Sequence, residues 1–334
     1  MKKIEAAVIC LALTTVYPAF SVGAVTKSRA PDAKTLTEQV LLDRLGFTPG
    51  VIDGHAGASL TKALRGFQQA RGLAPNGRID AATAKALATY SATPGTIEVT
   101  LTQADLVGPF VGPIPDDPAD QAKLPAMGYS DVMEELSERF HTTKATLIAL
   151  NSPNTPWKPG VKIKVPNVRP TATDYPAALP DAWKAALAQL NVSSDQPRAA
   201  KVVVDKSDGV LRVYDDQDKL VAQFPATMGS EHDPLPIGNW KIQGTSYLPS
   251  FHYNPDLFWD AKPGDTKETL KPGPNGPVGV VWMDLDKEHY GIHGTATPET
   301  IGRTTSHGCI RLTNWDAARL SLMVKPGIPA VFQE

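Results

Sequence analysis

Cysteine is nearly missing from this chain: 2 of its 334 residues carry a thiol. Two thiols cannot make the disulfide framework that holds small secreted domains together. Charge of one sign is lacking too, since 33 Lys and Arg face 35 Asp and Glu for a net charge of -2. Nucleic-acid binders show a basic surplus, so no nucleic-acid partner is expected. Only 20% of residues are charged against 42% hydrophobic, which excludes a disordered tail protein and a coiled coil. Beyond the first two dozen residues there is no long apolar run, so no membrane span is expected after them. Proline (30) and glycine (26) are plentiful instead, pointing to turns and linkers rather than a long helical bundle. A length of 334 residues predicts two or three domains.

The N-terminus has the order of a secretory signal. Lys2 and Lys3 precede an apolar run from Ala6 to Val16, and Val22-Gly23-Ala24 offers a cleavage site after Ala24. The run is shorter than the roughly 20 residues a spanning helix needs. Residues 1–24 are therefore expected to be a signal peptide, and the mature chain a soluble, exported protein. Cleavage removes Cys10 and leaves Cys309 alone. A lone thiol in an oxidising compartment is prone to oxidation, so its retention suggests a use. The alternative is a buried, inert cysteine.

The mature chain divides by pattern. In residues 35–90, Leu36, Val40, Leu41 and Leu45 recur at helical spacing before Gly46, and Ala63, Leu64 and Phe67 repeat the pattern before Gly72. Residues 97–168 read as strand, helix, helix, strand, with Ile97, Val99 and Leu101 alternating at one end and Val161, Ile163 and Val165 at the other. Residues 169–198 are a proline-punctuated linker. It carries one short helix, with Asp181 as its expected cap and Trp183, Leu187 and Leu190 on one face. Residues 199–334 are β-rich, and Asp208-Gly209 between two apolar runs is a hairpin signal. Within them, 249–277 shows little periodicity and reads as a long irregular lid.

Chemistry concentrates at His293-Gly294-Thr295 and Ser306-His307-Gly308-Cys309-Ile310-Arg311. A thiolate attacks acyl carbons, and a neighbouring imidazole can take the thiol proton and return it to a leaving amine. His293 and His307 are both candidate bases. An extended backbone would put the His307 and Cys309 side chains on one face, while Gly308 permits a turn that aims N–H groups at an oxyanion. A zinc site from His293, His307 and Cys309 lacks a paired ligand spacing and is set aside.

These motifs resemble the catalytic domain of the L,D-transpeptidases, the YkuD family, over about 199–333. Pro236-Ile237-Gly238-Asn239-Trp240 is similar to a turn of that family. Residues 35–90 resemble a three-helix peptidoglycan-binding domain through Leu45-Gly46-Phe47, Pro49-Gly50, Asp53-Gly54, Phe67-Gln68 and Gly72-Leu73. From Tyr129, residues 97–168 resemble a LysM glycan-binding module, through Ser137-Glu138-Arg139-Phe140, Leu150-Asn151 and Pro159-Gly160. The resemblance implies a multidomain fold: a mainly-β L,D-transpeptidase-like catalytic domain, a small three-helix domain and a small α/β LysM-like module.

The resemblance also implies roles. Cys309 forms a thioester with a tetrapeptide stem, His293 is the base, and the Gly294 carbonyl orients it. Backbone N–H groups of His307, Gly308 and Cys309 supply the oxyanion environment. Ser306 and Thr295 fall to substrate binding, with Ser306 also positioning the loop; Arg311, where some members have Asn, is a candidate for binding a stem-peptide carboxylate or for a structural role. No cofactor or metal is implied. The implied partners are peptidoglycan stem peptides and glycan strands, in the periplasm. An amine of a second stem as acceptor gives a 3→3 cross-link; water, a D-amino acid or the lysine of an outer-membrane lipoprotein are alternative acceptors. A wall-binding protein with a silent catalytic domain and a hydrolase of the same fold are the competing readings. The added modules are expected to act as tethers that raise local substrate concentration.

Overall fold

Three helices open the fold: α1 (Ala33–Arg44), α2 (Ala58–Ala70) and α3 (Ala81–Ala88). The computed structural model describes residues 30–106 and 108–334, so the expected signal peptide, with Cys10, lies outside the described residues. Asp32 and Asp80 cap α1 and α3 by accepting from the N–H groups of Thr35 and Thr83. Gly46 follows α1 with φ 82°, a left-handed conformation that favours glycine.

Next come β1 (Thr96–Thr100), α4 (Pro118–Gln121), α5 (Val132–Arg139), α6 (Lys144–Leu150) and β2 (Lys162–Pro166). β1 and β2 pair antiparallel, with Val99 opposite Ile163. Their apolar sides and those of α5 and α6 bury Leu136, Phe140, Leu147, Ile163 and Val165 against Leu36, Val40 and Ile52 of the helical segment. The linker helix α7 (Asp181–Gln189) starts one residue earlier than expected: Pro180 holds the cap position and Asp181 is the first helical residue. Its carboxylate still sits at the positive end of the helix dipole.

The remaining chain supplies β3 (Lys201–Asp205), β4 (Val210–Tyr214), β5 (Leu220–Pro225), β6 (Thr227–Met228), β7 (Gly238–Tyr247), β8 (Phe251–Tyr253), β9 (Glu268–Leu270), β10 (Val281–Leu285), β11 (Gly291–His293), β12 (Ile310–Arg311), helix α8 (Asn314–Met323) and β13 (Pro329–Gln333). One sheet runs in the order β5-β4-β3-β13-β7-β10-β11-β12-β6. The first half of β7 pairs with β13 and the second half with β10. That long strand therefore joins the two parts of the sheet. Trp183 and Leu187 of α7 and Trp315 and Leu320 of α8 pack into its core. Segment 249–277 is less irregular than its composition suggests, because β8 and β9 form a small antiparallel hairpin within it. Strands of three residues are too short to display a period.

Residues 31–334 form one compact unit, and α8 is where its parts meet. Arg319 of α8 bonds Asp43 of α1 at 2.7 Å, and Asp43 bonds His141, just after α5, at 3.1 Å. His141 stacks on Trp315 with ring centres 5.0 Å apart, and Thr48 donates to Asp316 at 2.9 Å. On the far side, Thr48 N–H donates to the Gln223 carbonyl and Gln223 N–H to the Gly46 carbonyl, which covers the β5 edge. The N-terminal segments thus share a core with β5 and a buried ion pair with α8. Among the described residues, no helix is long and apolar enough to cross a membrane.

Candidate active site

β11 and β12 run parallel, with Ile292 opposite Ile310 and His293 opposite Arg311. Ile292 and Ile310 are fully buried in the core. Side chains alternate across a sheet, so His293, Arg311 and Cys309 project from the other face. Parallel pairing of two short strands thus brings the upstream His-Gly-Thr motif to the downstream thiol.

His293 Nδ1 donates to the Gly294 carbonyl at 2.7 Å, which leaves Nε2 as the free base lone pair. The indole of Trp282 stacks on the imidazole with centres 5.4 Å apart. A side chain at Gly291 would collide with that indole, its Cβ lying 2.4 Å from the ring. His293 is only 4% exposed. Burial pushes its pKa down to about 4; the Gly294 hydrogen bond opposes this and the Arg311 charge adds to it. The imidazole is therefore neutral at physiological pH and able to accept a proton.

Cys309 is half-buried. Its thiol makes a weak 3.7 Å hydrogen bond to the His289 carbonyl. Burial pushes the thiol pKa up, against a Gly291 backbone hydrogen bond and the Arg311 charge, which pull it down. Resting thiol and imidazole are thus both biased to their neutral forms, and general-base transfer during attack suits them better than a standing ion pair.

The loop before β12 is a bend rather than a strand. Gly308 has φ 94°, and a Cβ there would lie 2.6 Å from the Tyr290 ring. The turn that Gly308 was expected to permit is present, while the extended path expected to align His307 with Cys309 is not. His307 Nε2 instead pairs with Asp260 Oδ1 at 3.0 Å, and its ring lies against Phe258 and Trp259, all on segment 249–277. Ser306 Oγ donates to the Cys309 carbonyl at 2.6 Å and accepts from Gly229 N–H at 2.7 Å, pinning the loop to the chain after β6. Thr295 is buried, and its hydroxyl accepts from Thr297 N–H at 3.3 Å, a local turn contact.

Sequence reasoning missed four residues of this neighbourhood: Trp282, Tyr290, Asp260 and Asn314. Asn314 opens α8 behind Thr313, whose hydroxyl accepts from Asp316 N–H. That cap was legible as a helix start, but its closeness to Gly294 was not. A Cβ on Gly294 would lie 2.1 Å from Asn314 Oδ1.

Residues 199–331 match the model of the YkuD family, described as the L,D-transpeptidase catalytic domain. Residues 33–87 match that of a peptidoglycan binding domain. A Bacillus licheniformis protein named for L,D-transpeptidase YkuD is 32% identical over 127 residues, 38% of this chain and 61% of its own length. An Escherichia coli K12 protein named for L,D-transpeptidase YbiS is 27% identical over 137 residues, 39% of this chain and 44% of its own. The solved L,D-transpeptidase of Mycobacterium smegmatis is 21% identical with a TM-score of 0.33, covering 40% of this chain and 58% of that one. The chain spans 61% and 33% of the first two curated relatives it matches. It thus carries a β-rich YkuD-type catalytic domain behind a helical peptidoglycan-binding-type domain.

Proposed function

We propose that this chain is an exported, periplasmic cysteine acyltransferase of the bacterial cell wall that forms 3→3 peptidoglycan cross-links. The observation that carries this is the His293 imidazole. It is locked by the Gly294 carbonyl with its basic nitrogen free, on the same sheet face as Cys309 and Arg311.

Cys309 sulfur bonds to the carbonyl carbon of the third stem residue as His293 Nε2 takes the thiol proton. The oxyanion is met by N–H groups of the turn that Gly308 creates. When the carbon–nitrogen bond breaks, His293 returns the proton to the departing D-Ala. An acceptor amine then gives a proton to His293, attacks the thioester and frees the thiol. Arg311, positive and next to the thiol, suits a stem-peptide carboxylate. The helical domain and the LysM-like βααβ module hold glycan strands beside this site.

Intact-protein mass spectrometry with a carbapenem, beside Cys309→Ala, tests the reading. A single adduct on the wild type that is missing from the variant supports an acyl-accepting thiol. Digestion of tetrapeptide muropeptide products then identifies the acceptor: dimers for a stem amine, tripeptides for water. No adduct on folded, reduced protein would overturn the acyltransferase in favour of a silent wall-binding protein.

A further inference from the structure

The base is oriented by a peptide carbonyl, so whatever fixes that peptide also fixes the base. Gly294 is held from behind by Asn314. The side-chain Oδ1 of Asn314 accepts from Val280 N–H at 3.2 Å and fills the space where Cβ atoms of Gly279 and Gly294 would be, 2.0 and 2.1 Å away. Nδ2 of the same amide points the other way, to the Pro274 carbonyl at 3.1 Å and to both carboxyl oxygens of Glu138, at 2.9 and 3.1 Å. Glu138 belongs to α5 of the βααβ module. It is only 5% exposed and accepts a further bond from the Tyr129 hydroxyl at 3.1 Å.

An asparagine amide has one donor end and one acceptor end. If it turned over, NH₂ would face the Val280 N–H and the Gly294 peptide, two donors would oppose each other, and the backbone would have to move. Residue 138 offers an acceptor oxygen to Nδ2 in either protonation state, which keeps the donor end away from Gly294. The Glu138 carboxyl therefore selects the amide orientation on which the His293–Gly294 hydrogen bond is built. We infer that Glu138, supplied by the βααβ module, is a positioning residue for the His293 base, acting through Asn314 and Gly294. The module has a second task besides any glycan it holds: it completes the support of the catalytic base. This rests on the acyltransferase reading only in calling His293 the base.

The test uses the full mature chain and iodoacetamide, which needs an ionised thiol but no transpeptidase chemistry. The quantity read is the Cys309 alkylation rate near pH 7, where base assistance matters, relative to the rate near pH 10, where the thiol ionises unaided. Glu138→Ala is expected to lower this ratio roughly ten- to a hundredfold, the scale of a misplaced catalytic group. The pH 10 rate should stay unchanged, and Glu138→Gln, which retains an acceptor oxygen, should restore most of the ratio. Asn314→Ala is read the same way and must show the same split, which decides the matter if Glu138→Ala does not fold. An unchanged ratio, or equal losses at both pH values, overturns the proposal. Carbapenem acylation of the wild type is measured alongside. A wild type that resists acylation while its variants still show the split removes the acyltransferase reading and leaves the positioning role standing.

Discussion

Arg311 stands opposite His293 across the parallel β11–β12 pair, and its charge acts on both partners of the reaction. It holds the imidazole pKa down and the thiol pKa down together. Burial does most to keep the base unprotonated, and the guanidinium adds to it while partly offsetting the rise that burial imposes on the thiol.

Arg311→Gln is therefore expected to move both limbs of the acylation profile upward in pH. The acid limb, set by His293 at about 4, shifts toward the ordinary imidazole value. The thiol limb, read by alkylation, shifts to higher pH as well. Stopped-flow acylation with a chromogenic carbapenem across pH measures both, and an acid limb that stays in place would remove Arg311 from this role.

Asp260 ties the 249–277 segment to His307. A polar contact between partners this exposed is worth about 0–1 kcal/mol. Asp260→Ala should thus speed the reaction of Cys309 with a bulky maleimide by up to about fivefold, with little change for small iodoacetamide. Equal effects on both reagents would show that the segment does not gate access.

Gly308→Ala places a Cβ at a left-handed φ and against Tyr290. Strain of this kind costs about 1–3 kcal/mol. Carbapenem acylation is expected to fall by at least tenfold (about 1.4 kcal/mol), while urea denaturation shows a loss within that strain range. Wild-type acylation in Gly308→Ala would mean the turn is not needed.

Burial pushes Glu138 up to about 8 and Asp316 up to about 7. In the unfolded chain both carboxyls lose their protons near the ordinary values, so over the interval between, the folded chain binds more protons. Stability must then fall as pH rises through that window. Urea midpoints followed from about pH 5 to 8 should decline less steeply in Glu138→Gln than in wild type. Parallel curves would show that Glu138 does not titrate there.

What the sequence revealed was local. Cys309, His307 and Gly308 are contiguous, the Asp208-Gly209 hairpin and the glycine after α1 are short-range signals, and each appears in the fold. The relationships that build the site are long-range. Glu138 reaches Asn314, Asp43 reaches Arg319 and Asp260 reaches His307 through contacts that leave no period or spacing in the chain. The misplaced cap at Asp181 and the overlooked β8–β9 hairpin are of another kind. There, proline geometry and very short strands overrode or hid the usual signals.

Three segments of the chain converge on α8, and none can swing away without breaking a buried polar contact or opening a shared core. A glycan strand held on the outer segments would meet the thiol at a span fixed by the fold. On the proposed function the molecule would behave as a gauge, sampling stem peptides at one set distance and angle along the strand. Lengthening the connection between the modules would spoil that calibration rather than widen the enzyme's reach.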